Sequence, residues 1–246
     1  QNAHLFKVIA RTHPERLSDA VASMQTNGSF ITEKSVSGKT LNPTVLYFFA
    51  LIAYACMSGA YLSIEAVRDT QANLSPLGAR RSITPYRKQF LIFIDMLVLI
   101  FIHFINVMIL TFYVNYILDI DLGNNYLAIL ATNFMGSLIG ICLGLMIGCI
   151  GKLTFSAKIG ICTSTTLLTG FLSGLMFGNM KDVIEQNAPI LNRINPAAVL
   201  SDAYYCISVY NDTLRYQRCM ITLLIMSVLF LGIAFLGVRR EHYDSI

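Results

Sequence analysis

Asp95, His103 and Asn106 stand inside one long apolar run, Phe90–Leu118. At about 100° per residue Asp95 and Asn106 nearly eclipse, and His103 lies within ~80° of both. Hydrocarbon solvates such groups poorly, so an ionisable residue at membrane depth usually faces a bundle interior or a cavity. The trio suits the polar wall of a transport path, or a proton-linked element. It equally suits a structural hydrogen-bond cluster, with Asp95 near enough to the inner face to meet a basic partner. A membrane-embedded enzyme would use Asp95 and His103 as its acid–base pair, without a nucleophile or metal motif beside them.

Other catalytic signatures are missing. The chain has no HExxH, no GxSxG and no paired-aspartate cluster. A phosphate-loop lookalike ends at Gly151-Lys152, but Met146 and Leu153 break the required GxxxxGK[ST] spacing. No bound cofactor is expected, and any ATP hydrolysis must come from another chain. Cys56, Cys142, Cys149 and Cys162 lie in apolar runs, where cysteine behaves as a small hydrophobe. No Cys/His set has metal spacing, so no metal is expected. A disulfide between Cys206 and Cys219 is possible, and nothing in the sequence demands it.

The polar residues need elements to position them. Residues are 55% hydrophobic and 13% charged, against roughly 25% charged in soluble chains. Lipid tolerates that deficit; a soluble surface does not. Five apolar segments lie near the ~20 residues of a spanning helix, approximately 44–62, 90–118, 126–150, 159–177 and 220–238. Backbone groups in hydrocarbon must bond internally, so all five are expected as helices. The expected fold is an all-α polytopic helical bundle in a membrane. The run 90–118 exceeds one span and is expected to tilt or project.

The segment Ser63–Gln89 sets the orientation. It carries Arg68, Arg80, Arg81, Arg87 and Lys88 against Glu65 and Asp69. Placing it in the cytoplasm also puts Lys152, Lys158, Arg239 and Arg240 inside, with a cytoplasmic C-terminus. The linker Asp119–Asn125 then lies outside with no Lys or Arg, together with the longer Gly178–Cys219 region, which carries Lys181, Arg193, Arg215 and Arg218. This asymmetry fits the positive-inside rule, with Tyr47, Tyr113, Tyr116, Tyr126 and Tyr216 near the outer interface. The net charge of +4 is scattered over several segments, which gives a nucleic-acid partner little support. The basic loop reads as a docking surface for a protein partner. Topology control and attraction to anionic lipid explain the same charges without one.

Glycines recur every fourth position at Gly136, Gly140, Gly144 and Gly148, and again at Gly170, Gly174 and Gly178. Such stripes let another backbone approach closely, for static packing or for helices that slide. In residues 179–210, Lys181–Asn187 and Ala197–Tyr210 read as short helices around the Asn195-Pro196 turn, either dipping into the outer interface or covering the bundle. Residues 1–42 read as the remainder of an extracytoplasmic domain, a small α+β element. They would lie outside with no export signal, so a preceding membrane helix is expected: six helices, of which five are in this sequence.

These features together resemble the ABC-2 type permeases, membrane subunits of ATP-driven exporters. Glu65 leaves the first helix, and Arg80-Arg81 precede Thr84-Pro85, similar to the family's basic pair before a Ser/Thr-Pro step. Phe171–Phe177 is similar to the FLSG-type end of the fifth helix, and Asn195-Pro196 to the approach to the sixth. The resemblance implies six helices, an outer domain between the first two, and a cytoplasmic element between the second and third that couples to an ABC ATPase. It covers nearly all of residues 43–246 and implies a cell-membrane protein that pairs with a second permease subunit, the same or different. ATP and Mg would sit on the ATPase. Arg80 and Arg81 would pair with its acidic groups, Leu74 or Leu77 would fill its groove, and Glu65, Arg68, Thr84 and Pro85 complete the expected coupling set. A non-transporting scaffold or immunity protein of similar fold is the other alternative.

Overall fold

The protein is described from a computed structural model covering residues 43–71, 75–86, 88–149, 153–178, 180–210 and 212–240. The expected α+β element of residues 1–42 and the site residue Leu74 lie outside the described residues.

The first apolar run forms α1 (Pro43–Met57) and α2 (Gly59–Arg68), broken at Ser58. The Ser58 hydroxyl donates back to the Ala55 carbonyl at 2.7 Å, a local bond that competes with the helix ladder. The expected end at residue 62 is too early. Ile64 and Val67 are buried, so the inward-facing stripe continues through residues the polar composition assigns to the loop.

That loop also contains α3 (Pro76–Ser82). Ser75 Oγ accepts from Gly78 N at 2.9 Å and Pro76 occupies the first turn, two standard helix-start features. The long run becomes α4 (Lys88–Phe112), closed by a π-helical turn, π1 (Tyr113–Ile117). Next come α5 (Tyr126–Cys149) and α6 (Phe155–Leu172). Three short helices follow, α7 (Met180–Asn187), α8 (Pro189–Ile194) and α9 (Pro196–Tyr205), with a second π turn, π2 (Cys206–Tyr210). Last is α10 (Thr213–Arg240). It starts well before the expected residue 220, because the Asp212 carboxylate accepts from Leu214 N and Arg215 N and caps it. No strand occurs among the described residues.

Among the described residues, four helical stretches are long and apolar enough to cross a membrane: Thr44–Arg68, Gln89–Ile117, Tyr126–Cys149 and Thr213–Gly237. The remaining expected span, 159–177, corresponds to α6, which has 18 residues with Lys158 near its start and a Thr/Ser-rich middle, and is not among those four.

The α5 helix is the centre of the bundle, buried along most of its length and packed on α10, α2, α4 and α1. Its glycine stripe explains the fit. A Cβ at Gly136 would lie 2.5 Å from Cys56 Sγ, at Gly140 2.0 Å from Cys56 O, and at Gly144 2.1 Å from Ala60 O. Gly148 meets the Val67 side chain. The second stripe does not continue as expected: α6 ends at Leu172, and Gly174, at φ 97°, turns the chain away. Gly170 alone stays on the helix, against Tyr54, while Gly178 meets Tyr47 beyond it.

Candidate functional site

At the loop end of the bundle, α3 is fastened to α4. Arg81 Nη1 donates to Asp95 Oδ2 at 2.7 Å, two turns into α4. Gly78 lets the start of α3 lie against the backbone of Gln71, where a Cβ would come within 2.3 Å of the Gln71 carbonyl oxygen. Arg68 reaches Glu65 at 3.1 Å and Asp69 at 3.5 Å, and lies 4.9 Å over the Phe155 ring. Its stem and guanidinium thereby join α2 to the start of α6.

Beneath this surface Lys158 is only 2% exposed. Its Nζ donates to Gly148 O at 2.5 Å and to Gln71 Oε1 at 3.2 Å. The last turn of α5 leaves carbonyls without helix partners, so an ammonium there satisfies both polarity and the helix dipole. Sequence reasoning placed Lys158 in a short link and missed this role. The available signal was a lone cation one turn into an apolar helix.

The exposed side of the same region is apolar and basic. Leu77, Arg80, Ile83, Thr84, Pro85 and Tyr86 all face outward, with Ile83 83% exposed. Thr84 Oγ1 donates to Arg81 O at 2.6 Å and closes the turn after α3. Ile83 and Tyr86 were not singled out from sequence, because their exposure depends on where α3 ends.

The polar trio of α4 is not brought together. Asp95 turns to Arg81, whereas His103 is buried and its Nε2 donates to Cys56 O at 3.0 Å. Since a carbonyl only accepts, that bond assigns the proton to Nε2. Asn106 sits on the exposed face. The eclipsed azimuths of Asp95 and Asn106 ignored their separation of about 16 Å along the axis. The buried polar cluster lies elsewhere: Asn133 Oδ1 accepts from Tyr204 OH and, at 3.2 Å, from Thr111 Oγ1, tying α5 to α9 and α4.

The sequence matches the family model described as ABC-2 family transporter protein over residues 10–236. The chain belongs to that family. No curated protein and no solved structure matches it. It is therefore a multi-pass membrane protein and an ABC-2 type transport permease.

At the far end of this ABC-2 chain, the short helices, α10, Leu46 of α1 and the turn after α6 line an open cavity of about 940 Å³. Asp202 pairs with Lys181 and lies 4.0 Å from Arg215. Asn195 caps α9 through Ala197 N at 3.0 Å and donates to Thr169 O at 2.9 Å, so the Asn195-Pro196 step docks on α6. The Cys206 and Cys219 side chains hydrogen-bond, and this holds the Cys206 thiol below its usual range. Both are free thiols.

Proposed function

We propose that this chain is the membrane subunit of an ATP-driven exporter in the cell membrane, powered by a separate ABC ATPase that docks on the surface around α3. It works with a second permease subunit, crosses the membrane with five helices, α6 among them, and keeps its C-terminus in the cytoplasm. The Arg81–Asp95 pair carries the reading. It joins a small exposed helix to the first turns of a 25-residue helix, so displacement of α3 is passed to α4 and not absorbed by slack chain. Leu77, Ile83 and Tyr86 supply an apolar contact ringed by Arg80. Arg68, Glu65, Thr84 and Pro85 shape its border.

The surface divides into two roles. Arg80 and Ile83 contact the ATPase, whereas Arg81 transmits its movement. Co-purification of the full-length protein with its ATPase in mild detergent tests this. Arg80→Glu/Ile83→Asp is expected to lose the ATPase. Arg81→Glu is expected to retain it but lose substrate-stimulated hydrolysis. Absence of any ATPase with the folded wild type would refute the exporter reading.

A further inference from the structure

The cavity between the short helices and α10 has a wall chemistry that coupling to an ATPase does not use. Among the residues lining it are Lys181, Asp182, Asn192, Arg193, Asp202 and Arg218. Lys181 and Asp202 neutralise each other. Arg193 and Arg218 have no acidic partner among the described residues, and Asp182 has no cationic one. The Asn192 amide nitrogen donates to Lys181 O at 3.0 Å and Glu185 Oε2 at 2.9 Å. Its Oδ1, in a residue 5% exposed, is the one buried side-chain atom without a partner among the described residues. A buried acceptor left open costs stability unless some donor meets it. Glu185, Asp212 and Arg215 also line the cavity, but Glu185 accepts from Asn192, Asp212 caps α10 and Arg215 lies 4.0 Å from Asp202. Beyond these, the wall offers two guanidinium groups, the Asp182 carboxylate and an amide oxygen at the edge of an apolar bundle.

We propose that this cavity binds the headgroup of a zwitterionic phospholipid, a phosphate diester joined to a primary amine. Arg193 and Arg218 take the phosphate through charge-assisted forks. Asp182 takes the ammonium, and the Asn192 side accepts one of its protons. The volume lies within the range of small-molecule sites, about 300–1,000 Å³. A lipid is favoured over a soluble phosphate because Ile190, Ile194 and Leu214 expose apolar side chains on the elements that form the cavity. Those surfaces suit acyl chains and serve no purpose for a free headgroup. The inference uses the membrane setting and not the transport reading.

Native mass spectrometry of the full chain in mild detergent tests it, with phosphatidylethanolamine, phosphatidylglycerol and soluble glycerophosphoethanolamine as probes. The expected result is preferential retention of phosphatidylethanolamine, with the soluble headgroup held far more weakly. Arg193→Gln/Arg218→Gln should lower that retention about tenfold, as expected for lost charged hydrogen bonds. Asp182→Asn should erase the preference over phosphatidylglycerol while leaving phosphate binding. These side chains are exposed, and matching thermal unfolding curves will establish that the variants fold. Equal retention of the two lipids by the wild type, unchanged retention in the double variant, or equally tight binding of glycerophosphoethanolamine each overturns the proposal. No ATPase enters the readout, so failure of the exporter reading leaves the result interpretable.

Discussion

His103 of α4 donates to the carbonyl of Cys56 at 3.0 Å, at the break between α1 and α2. The ring also fills the space beside Gly59, where a Cβ would lie 2.7 Å from it. A side chain from one long helix thus pins the interruption in another. His103→Ala is expected to leave a buried carbonyl poorly satisfied and a cavity beside it, costing about 2–4 kcal/mol. His103→Gln retains a donor and should recover part of the loss. Thermal unfolding of the purified protein in detergent measures both. Equal stability of the wild type and the alanine variant would show the bond to be idle.

The Arg81–Asp95 pair predicts a charge-swap rescue. Both side chains are about one-third exposed, so water screens the pair and its contribution to stability is small, about 0.2–1 kcal/mol. Its value lies in position. Arg81→Asp and Asp95→Arg alone should each impair ATPase stimulation, and the double swap should restore much of it. A double variant as impaired as the worse single variant would exclude a direct partnership.

Gly140 predicts a steric failure. Its missing Cβ leaves room for the Cys56 carbonyl, and a methyl group there would sit 2.0 Å from that oxygen. Backbone on both sides leaves little to yield, so Gly140→Ala is expected to destabilise by at least about 1–3 kcal/mol. Gly160 and Gly232 have open space around the same position. Alanine at either should be neutral or slightly stabilising, since it favours helix more than glycine does. Unfolding temperatures of the three variants compare the sites directly.

Lys158 predicts a loss confined to the loop end. Lys158→Met keeps the stem but removes the ammonium from Gly148 O and Gln71 Oε1, at a cost of about 1.5–3 kcal/mol. Limited proteolysis should then cut faster within residues 69–87, while the opposite end keeps its protection. Uniformly increased cleavage would indicate general unfolding and not release of the loop.

The membrane class and the long helices were legible from residue types alone. Apolar runs of spanning length, clustered arginines and fourfold glycine spacing depend on local chemistry, and family membership accords with that reading. The start of α3 was written in Ser75-Pro76, although reading the loop as one polar segment concealed it. Which polar residue meets which was decided only by the fold. Periodicity assigns an angle around a helix, but pairing also needs axial height and a neighbouring helix. So Asp95 left His103 for Arg81, and His103 turned to a carbonyl exposed by a break in another helix. Lys158 found its acceptors on α5 and in the loop, while Gly174 turns the chain just past the end of α6 although its spacing continues that helix's stripe. Those outcomes depend on contacts between residues distant in the chain, where packing, and not local composition, decides which polar groups can be satisfied.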